Sequence, residues 1–170
     1  ARHNETEILA RGECRFGPRG QWLVDFKQLD ADRVILNSDL VTALPEKLAT
    51  GITRMAFDGP VNLHGALRMS GVPGVVPESN WDVVLHTYDA NLDCGVQLNH
   101  IHGSVRLTGH HDKGGVQCSG ELDVDSLIYQ DAQITSLKGP LWIDDDRVLL
   151  GTWAERGRKQ EPRELSGSVF

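Results

Sequence analysis

The chain has 170 residues, 39% of them hydrophobic and 6% aromatic, with a formal charge of −7. That is enough for one domain with a core, or for one segment of a larger sheet, and the apolar share suits a β-rich chain rather than a disordered one. The acidic balance argues against general nucleic-acid binding, which needs a basic face, and no window of about 18 apolar residues is present to cross a bilayer as a helix.

In chain order, residues 1–11 are polar and expected to fray. Residues 12–16 and 21–27 read as two strands around the turn Gly17-Pro18-Arg19-Gly20. In the second strand Trp22, Val24 and Phe26 share a face, and Leu23 breaks the alternation. Asp30-Ala31-Asp32-Arg33 is expected to turn, and Val34-Ile35-Leu36 to form a short strand. The helical stretch follows. Asn37 or Ser38 can cap it, Asp39 sits in the first turn, and Leu40, Leu44, Leu48, Ile52 and Met55 fall on one stripe. Pro45 predicts a break, with a second short helix reaching about residue 54. The stripe has too few basic neighbours for a membrane-surface helix, which leaves a helix that covers a sheet or plugs its end.

Alternation returns at Gly59: Val61, Leu63, Leu67 and Met69 face one way, and Asn62, His64 and Arg68 the other. The Gly- and Pro-rich stretch 71–77 reads as a domain seam or a connection along the sheet edge. Trp81, Val83 and Leu85 open the next strand, and residues 92–98 predict another. The apolar phase then slips at Asn99-His100. A one-residue slip moves every side chain to the opposite face, so a turn or bulge is expected near His100.

The clearest pattern lies in residues 103–143. Gly103, Gly120 and Gly139 each open a run in which every second residue is apolar: Val105 and Leu107, Leu122 and Val124, Leu141 and Ile143. Residues 110–115 predict a hairpin loop, Asp131 a turn, residues 134–137 and 141–143 two strands, and Asp144-Asp145-Asp146 a hairpin answered by Val148, Leu149 and Leu150. Residues 154–164 are charged and aperiodic and read as a connector, after which 166–170 resemble the start of a further glycine-led strand. The inventory is ten to twelve strands and one broken helix, in a β-rich domain over residues 12–153 flanked by the fraying end and a polar connector over 154–170. No signal peptide is visible and the first residue is Ala1, so the expectation is a piece of a longer protein, with any membrane anchor elsewhere.

Few constellations could carry chemistry. His100, His102, His110 and His111 cluster near Cys94 and Cys118. Imidazoles at i and i+2 on a strand point the same way, which would suit a metal site in a cupin-like jelly roll built on His100 and His102. Against it, no glutamate follows at short distance, and His110 and His111 fall in a predicted turn. The three aspartates 144–146 lack the alternating ligands and the glycine of a calcium loop. Asp123 and Asp125 share a polar strand face with nothing to raise a pKa. Cys14, Cys94 and Cys118 are an odd set. Cys94 and Cys118 either pair across strands or stay as small buried side chains. No nucleophile motif, phosphate loop or dinucleotide fingerprint is present, and no cofactor is expected.

Three segments together resemble the AsmA/TamB-like bacterial envelope proteins. They are the leucine–proline helix 40–48 leading into Phe57-Asp58-Gly59-Pro60-Val61-Asn62-Leu63; the run 92–109, with Gly103-Ser104-Val105-Arg106-Leu107-Thr108-Gly109; and Gly120-Glu121-Leu122-Asp123-Val124 leading into Gly139-Pro140-Leu141-Trp142-Ile143. The resemblance covers about residues 12–151. It implies a mainly β fold, a curved antiparallel meander with a concave apolar face (a β-groove) and one short broken helix. It also implies a non-enzymatic role in lipid transport or outer-membrane biogenesis in the periplasm of a Gram-negative-type bacterium. The implied partners are lipid acyl chains and other envelope proteins, with membrane association through parts of the parent protein outside this chain. The expected groove lining is Val61, Leu63, Leu67, Val105, Leu107, Leu122, Val124, Leu141 and Ile143. The alternatives are a closed β-sandwich or jelly roll binding carbohydrate through Trp22, Trp81, Trp142 and Trp153, and the cupin-like metal protein using His100 and His102.

Overall fold

Alternating apolar and polar residues favour strands with two unlike faces, and short Gly-rich turns favour antiparallel neighbours. The computed structural model describes residues 2–3, 6–43, 53, 56–93, 95–144, 147–151 and 165–170. It contains β1 (Arg2–His3), β2 (Thr6–Phe16), β3 (Trp22–Ile35), α1 (Ser38–Ala43), β4 (Pro60–Gly71), β5 (Glu78–Asp93), β6 (Gln97–Asp112), β7 (Gly115–Tyr129), β8 (Ala132–Asp144), β9 (Arg147–Leu150) and β10 (Ser166–Val169). The strands form one open antiparallel meander in chain order from β1 to β8. Its far edge is shared by β9, against residues 141–144, and β10, against residues 134–138. The curved meander expected from the sequence is present, and the sandwich and jelly-roll alternatives are not: the sheet does not close, and no described element packs across either face. α1 touches none of the strands. Asn37 accepts the Val41 amide at 3.0 Å, which starts the helix at the expected cap. Leu44, Pro45, Leu48, Ile52 and Met55 lie outside the described residues, as do Cys94, Asp145, Asp146, Trp153 and the connector.

The strands are longer than the sequence suggested. β2 starts at Thr6, inside the segment expected to fray. Residues 30–33 do not turn. They lie within β3, where Arg33 takes a φ of 53° and the register shifts. The predicted strand 92–98 is divided by a tight hairpin, with Gly95 at φ 91° and its amide on Asp93 Oδ1 at 3.3 Å. Residues 72–77 form a hairpin loop joining the adjacent strands β4 and β5, neither a seam nor an edge connection. His110 and His111 belong to β6, and the turn is Lys113 and Gly114. The two strands expected over 134–143 are the single strand β8. The turn at 17–20 is as expected, with the Gly17 amide on the Gln21 carbonyl at 2.7 Å.

A line of irregularities crosses the sheet at right angles to the strands. It passes Arg33 in β3, residues 88–89 in β5, residues 100–102 in β6, residue 125 in β7 and Ser136 in β8. Arg33, His100 and Ser136 all have positive φ (53°, 51° and 54°). An extra residue in one strand bends it and shifts its side-chain phase by one. Along this crease the shifts in β5, β6 and β7 fall at nearly the same height beyond the Thr87 and Gly103 pair, that in β3 lies just before it, and β4 pairs with β5 without a shift. They also keep the apolar phase: in β7 it steps from Leu122 and Val124 to Leu127, and in β8 from Leu141 and Leu137 to Ile134. The slip expected near His100 is one member of this line.

Gly103 lies on the crease row with φ 149°, and a β-carbon there would stand 2.5 Å from the Val124 Cα and 2.6 Å from the Asp123 carbonyl oxygen. Both are backbone atoms of β7, which cannot yield as a flexible side chain would. Gly103→Val is expected to cost roughly 2–5 kcal/mol, from overpacking plus left-handed strain. Gly74 has φ 76° and open space around it, so Gly74→Ala carries only the conformational cost of about 1–2 kcal/mol. Urea unfolding followed by circular dichroism measures both, and equal costs would contradict the close approach at Gly103.

Candidate functional site: an apolar trough

The register assembles four rows of six side chains running across β3 to β8. The first is Phe26, Leu67, Trp81, Gly109, Cys118 and Ile143. The second is Leu29, Gly65, Val83, Leu107, Gly120 and Leu141. The third is Ala31, Leu63, Leu85, Val105, Leu122 and Gly139. The fourth is Val34, Val61, Thr87, Gly103, Val124 and Leu137. None of these positions holds Asp, Glu, Lys or Arg. The one hydroxyl, on Thr87, donates to the Pro60 carbonyl at 3.1 Å. All nine expected lining residues fall in these rows on the same face, Ile143 by its backbone register. The list omitted the contributions of β3 and β5, although the alternation of Trp22, Val24 and Phe26 and of Trp81, Val83 and Leu85 signals them.

This face is oily without being a closed core. Only Ala31, Ala90, Cys118, Val124, Leu127 and Leu141 are buried among the apolar side chains described, and no large side chain is fully buried. Leu63, Leu67, Leu85, Val105, Leu107 and Leu122 keep intermediate exposure. On the opposite face of β7, Glu121, Asp123 and Asp125 are exposed. No described element lies over the apolar side chains, and Val124, Leu127 and Leu141 are nevertheless buried.

The other face is a ladder of charge pairs. Asp82 takes a two-pronged bond from Arg106, 2.9 Å to Nε and 2.7 Å to an Nη, and Lys138 reaches Asp123 at 2.7 Å. Asp30 meets the His64 imidazole and the Gln28 amide, the latter at 2.6 Å, and Lys27 contacts Asp25 at 2.8 Å. These contacts set the titration of the groups. Hydrogen bonds from Arg106 hold the Asp82 carboxyl below its ordinary value, and the same contact raises Arg106. Asp123 raises Lys138, and the bond to His64 lowers Asp30. Cys118, on the oily face, is raised by burial, which keeps it a neutral thiol.

The histidines are spread apart. The reversed backbone at His100 breaks the i, i+2 alignment with His102. The His100 ring binds Asp89 at 2.9 Å, while His102 lies opposite Ser126. His110 is on the polar face, and His111 on the apolar face bonds the Pro77 carbonyl at 3.1 Å. Among the described residues no three His, Cys, Asp or Glu side chains stand close enough to hold a metal ion. Of the described tryptophans, Trp22 and Trp81 lie on the apolar face and Trp142 on the other. No protein-family model, no curated protein and no solved structure matches this chain.

The contact between Asp82 and Arg106 predicts a pH dependence. A carboxyl lowered in the folded chain contributes stability above its unfolded value, about 3.9, and loses it as pH falls through the lower folded value. In a double-mutant cycle of Asp82→Ala and Arg106→Ala, measured by urea unfolding, the coupling is expected to be present at neutral pH. It should weaken in high salt, because both side chains are well exposed, and vanish in strong acid. Coupling that persists unchanged in acid would contradict this assignment.

Proposed function

We propose that the chain is a non-enzymatic cell-envelope segment whose trough holds lipid acyl chains, as its resemblance to AsmA/TamB-like proteins implies. One observation carries the reading: four uncharged rows span six strands and remain half-exposed. Apolar surface that is contiguous, unshielded and rimmed by charge is a binding surface rather than a stable contact with water. The crease runs across the strands, so the hollow runs in that direction too. Five strand spacings from β3 to β8 give it about 24 Å of length.

The expected affinity is modest. A chain of about 16 methylenes with half its surface against the sheet gains at most roughly 6 kcal/mol, which gives micromolar rather than nanomolar binding. No side chain in the rows can neutralise a head group, so the polar end of the ligand stays outside the trough. Such a segment would shelter acyl chains on their way between membranes in the periplasm, with anchoring supplied by the rest of the parent protein.

The test is native mass spectrometry and displacement of a fluorescent fatty acid. The chain is expected to carry phospholipid and to release it to competing acyl chains. Leu107→Asp, in the second row, should reduce binding at least tenfold, since it places a charge against the hydrocarbon. Val84→Asp introduces the same charge on the opposite face and should leave binding unchanged. A chain without lipid that fails to bind the probe, or equal effects of the two substitutions, would overturn the proposal.

A further inference from the structure

The outer edge of β2 carries a second candidate surface, which does not depend on the lipid reading. β1 covers this edge only beside Thr6 and Glu7. From residue 9 to residue 16 no described strand pairs with it, and every side chain there is exposed, Phe16 at 81%. Charged Arg11, Glu13 and Arg15 line this edge, but two other usual protections, a proline and a bulge of its own, are missing. β2 contains no proline, and its one register shift against β3 arises from an extra residue in β3. An edge left open over this length is a template for a further strand.

We infer that the partner is a second copy of this chain, paired antiparallel through β2 about a two-fold axis at Gly12. The reason is the self-complementary sequence of the strand. Antiparallel pairing that keeps the two apolar faces on one side allows only every second register. Centred on Gly12, Arg11 of each copy lies opposite Glu13 of the other, twice across the axis; Ala10 meets Cys14, and Leu9 meets Arg15. Centred on Arg11, two guanidinium groups face each other, and the pairing reaches back onto residues beside β1. Centred on Glu13, two carboxylates face each other and Arg11 faces Arg15. Centred on Cys14, Glu13 meets Arg15, but the ladder shortens to residues 12–16. The Gly12 register is the longest one free of like-charge pairs, and it fills the edge that β1 leaves open. Glu13 already binds Arg15 of its own strand at 2.8 Å, so it would sit between two guanidinium groups. The axis stands perpendicular to the sheet, so both apolar faces look the same way and one trough continues through both copies.

Sedimentation velocity over a dilution series of the 170-residue chain tests this. The wild-type chain is expected to dimerise. Arg11→Glu sets two carboxylates against each other in each pair, and Glu13→Arg sets two guanidinium groups against each other. Each variant alone should sediment as a monomer, while circular dichroism shows the sheet intact. An equimolar mixture of the two restores opposite charges across the axis and should form a heterodimer. A monomeric wild-type chain, Arg11→Glu dimerising as well as wild type, or a mixture that stays monomeric would each overturn the inference.

Discussion

A single sheet with one oily face has a surface it cannot leave flat in water. Two layers would close over it, and a barrel would roll it shut; neither happens among the described residues. The relief is partial. Val124, Leu127 and Leu141 are buried, while Leu63, Leu85, Val105 and Leu122 stay half-exposed. Each half-exposed leucine falls short of the roughly 1.5–3 kcal/mol that full burial would contribute. Most of the sheet's cohesion therefore comes from its ladders of backbone hydrogen bonds and from cross-strand pairs within each face.

The crease allows strands of up to 16 residues to curl without losing their two-faced character. A strand bent by an extra residue would normally carry its apolar side chains to the wrong side. Here each bulge coincides with a break in the sequence alternation, so the break in pattern and the break in geometry cancel. Arg33, His100 and Ser136 accept left-handed backbone at these points, and Gly103 and Gly139 adopt positive φ close by. The charge pairs on the polar face belong to the same design. Arg106 with Asp82, Lys138 with Asp123 and His64 with Asp30 bridge adjacent strands on the face opposite the rows, while Lys27 with Asp25 lies within β3.

The apolar rows were legible in the sequence because the period of two is a direct imprint of the pleat. The runs from Val61, Val105, Leu122 and Leu141 gave nine residues that share a face without any knowledge of pairing. The slip at Asn99-His100 was legible for the same reason: a phase error is visible within one strand. Strand ends were not. Asp30-Ala31-Asp32-Arg33 has the composition of a turn, yet β2 and β4 on either side hold it extended, and only the bulge at Arg33 betrays the local preference. The pair His110 and His111 looked like loop residues because Gly114 and Gly115 follow, but the hairpin needs only two residues to reverse. Tertiary pairing overrode composition in both cases. The metal reading failed on a different point: two histidines at i and i+2 share a face only if the strand between them is regular, and the crease passes through that spot.

What separates a trough from an unfinished core is not the distribution of charge. A clean face over six strands, with the pairs of Asp82 and Arg106 and of Asp123 and Lys138 on the other, is what a covered sheet also needs, so the charge pattern marks this face as one to be covered without naming the occupant. Glycines such as Gly65 and Gly120 also stand on the oily side, where a larger side chain would give a packing partner more to bury; a β-carbon at Gly65 would lie 2.2 Å from the Asp82 carbonyl oxygen, so the close approach of strands has taken precedence over filling the face. A protein layer matches such a surface only by interdigitating knobs with its hollows at near-crystalline density. A flexible hydrocarbon matches it by changing torsion angles, at little cost and without a fixed register. On the function proposed above, the relief of glycine beside leucine in these rows would be met by a fluid, unbranched occupant.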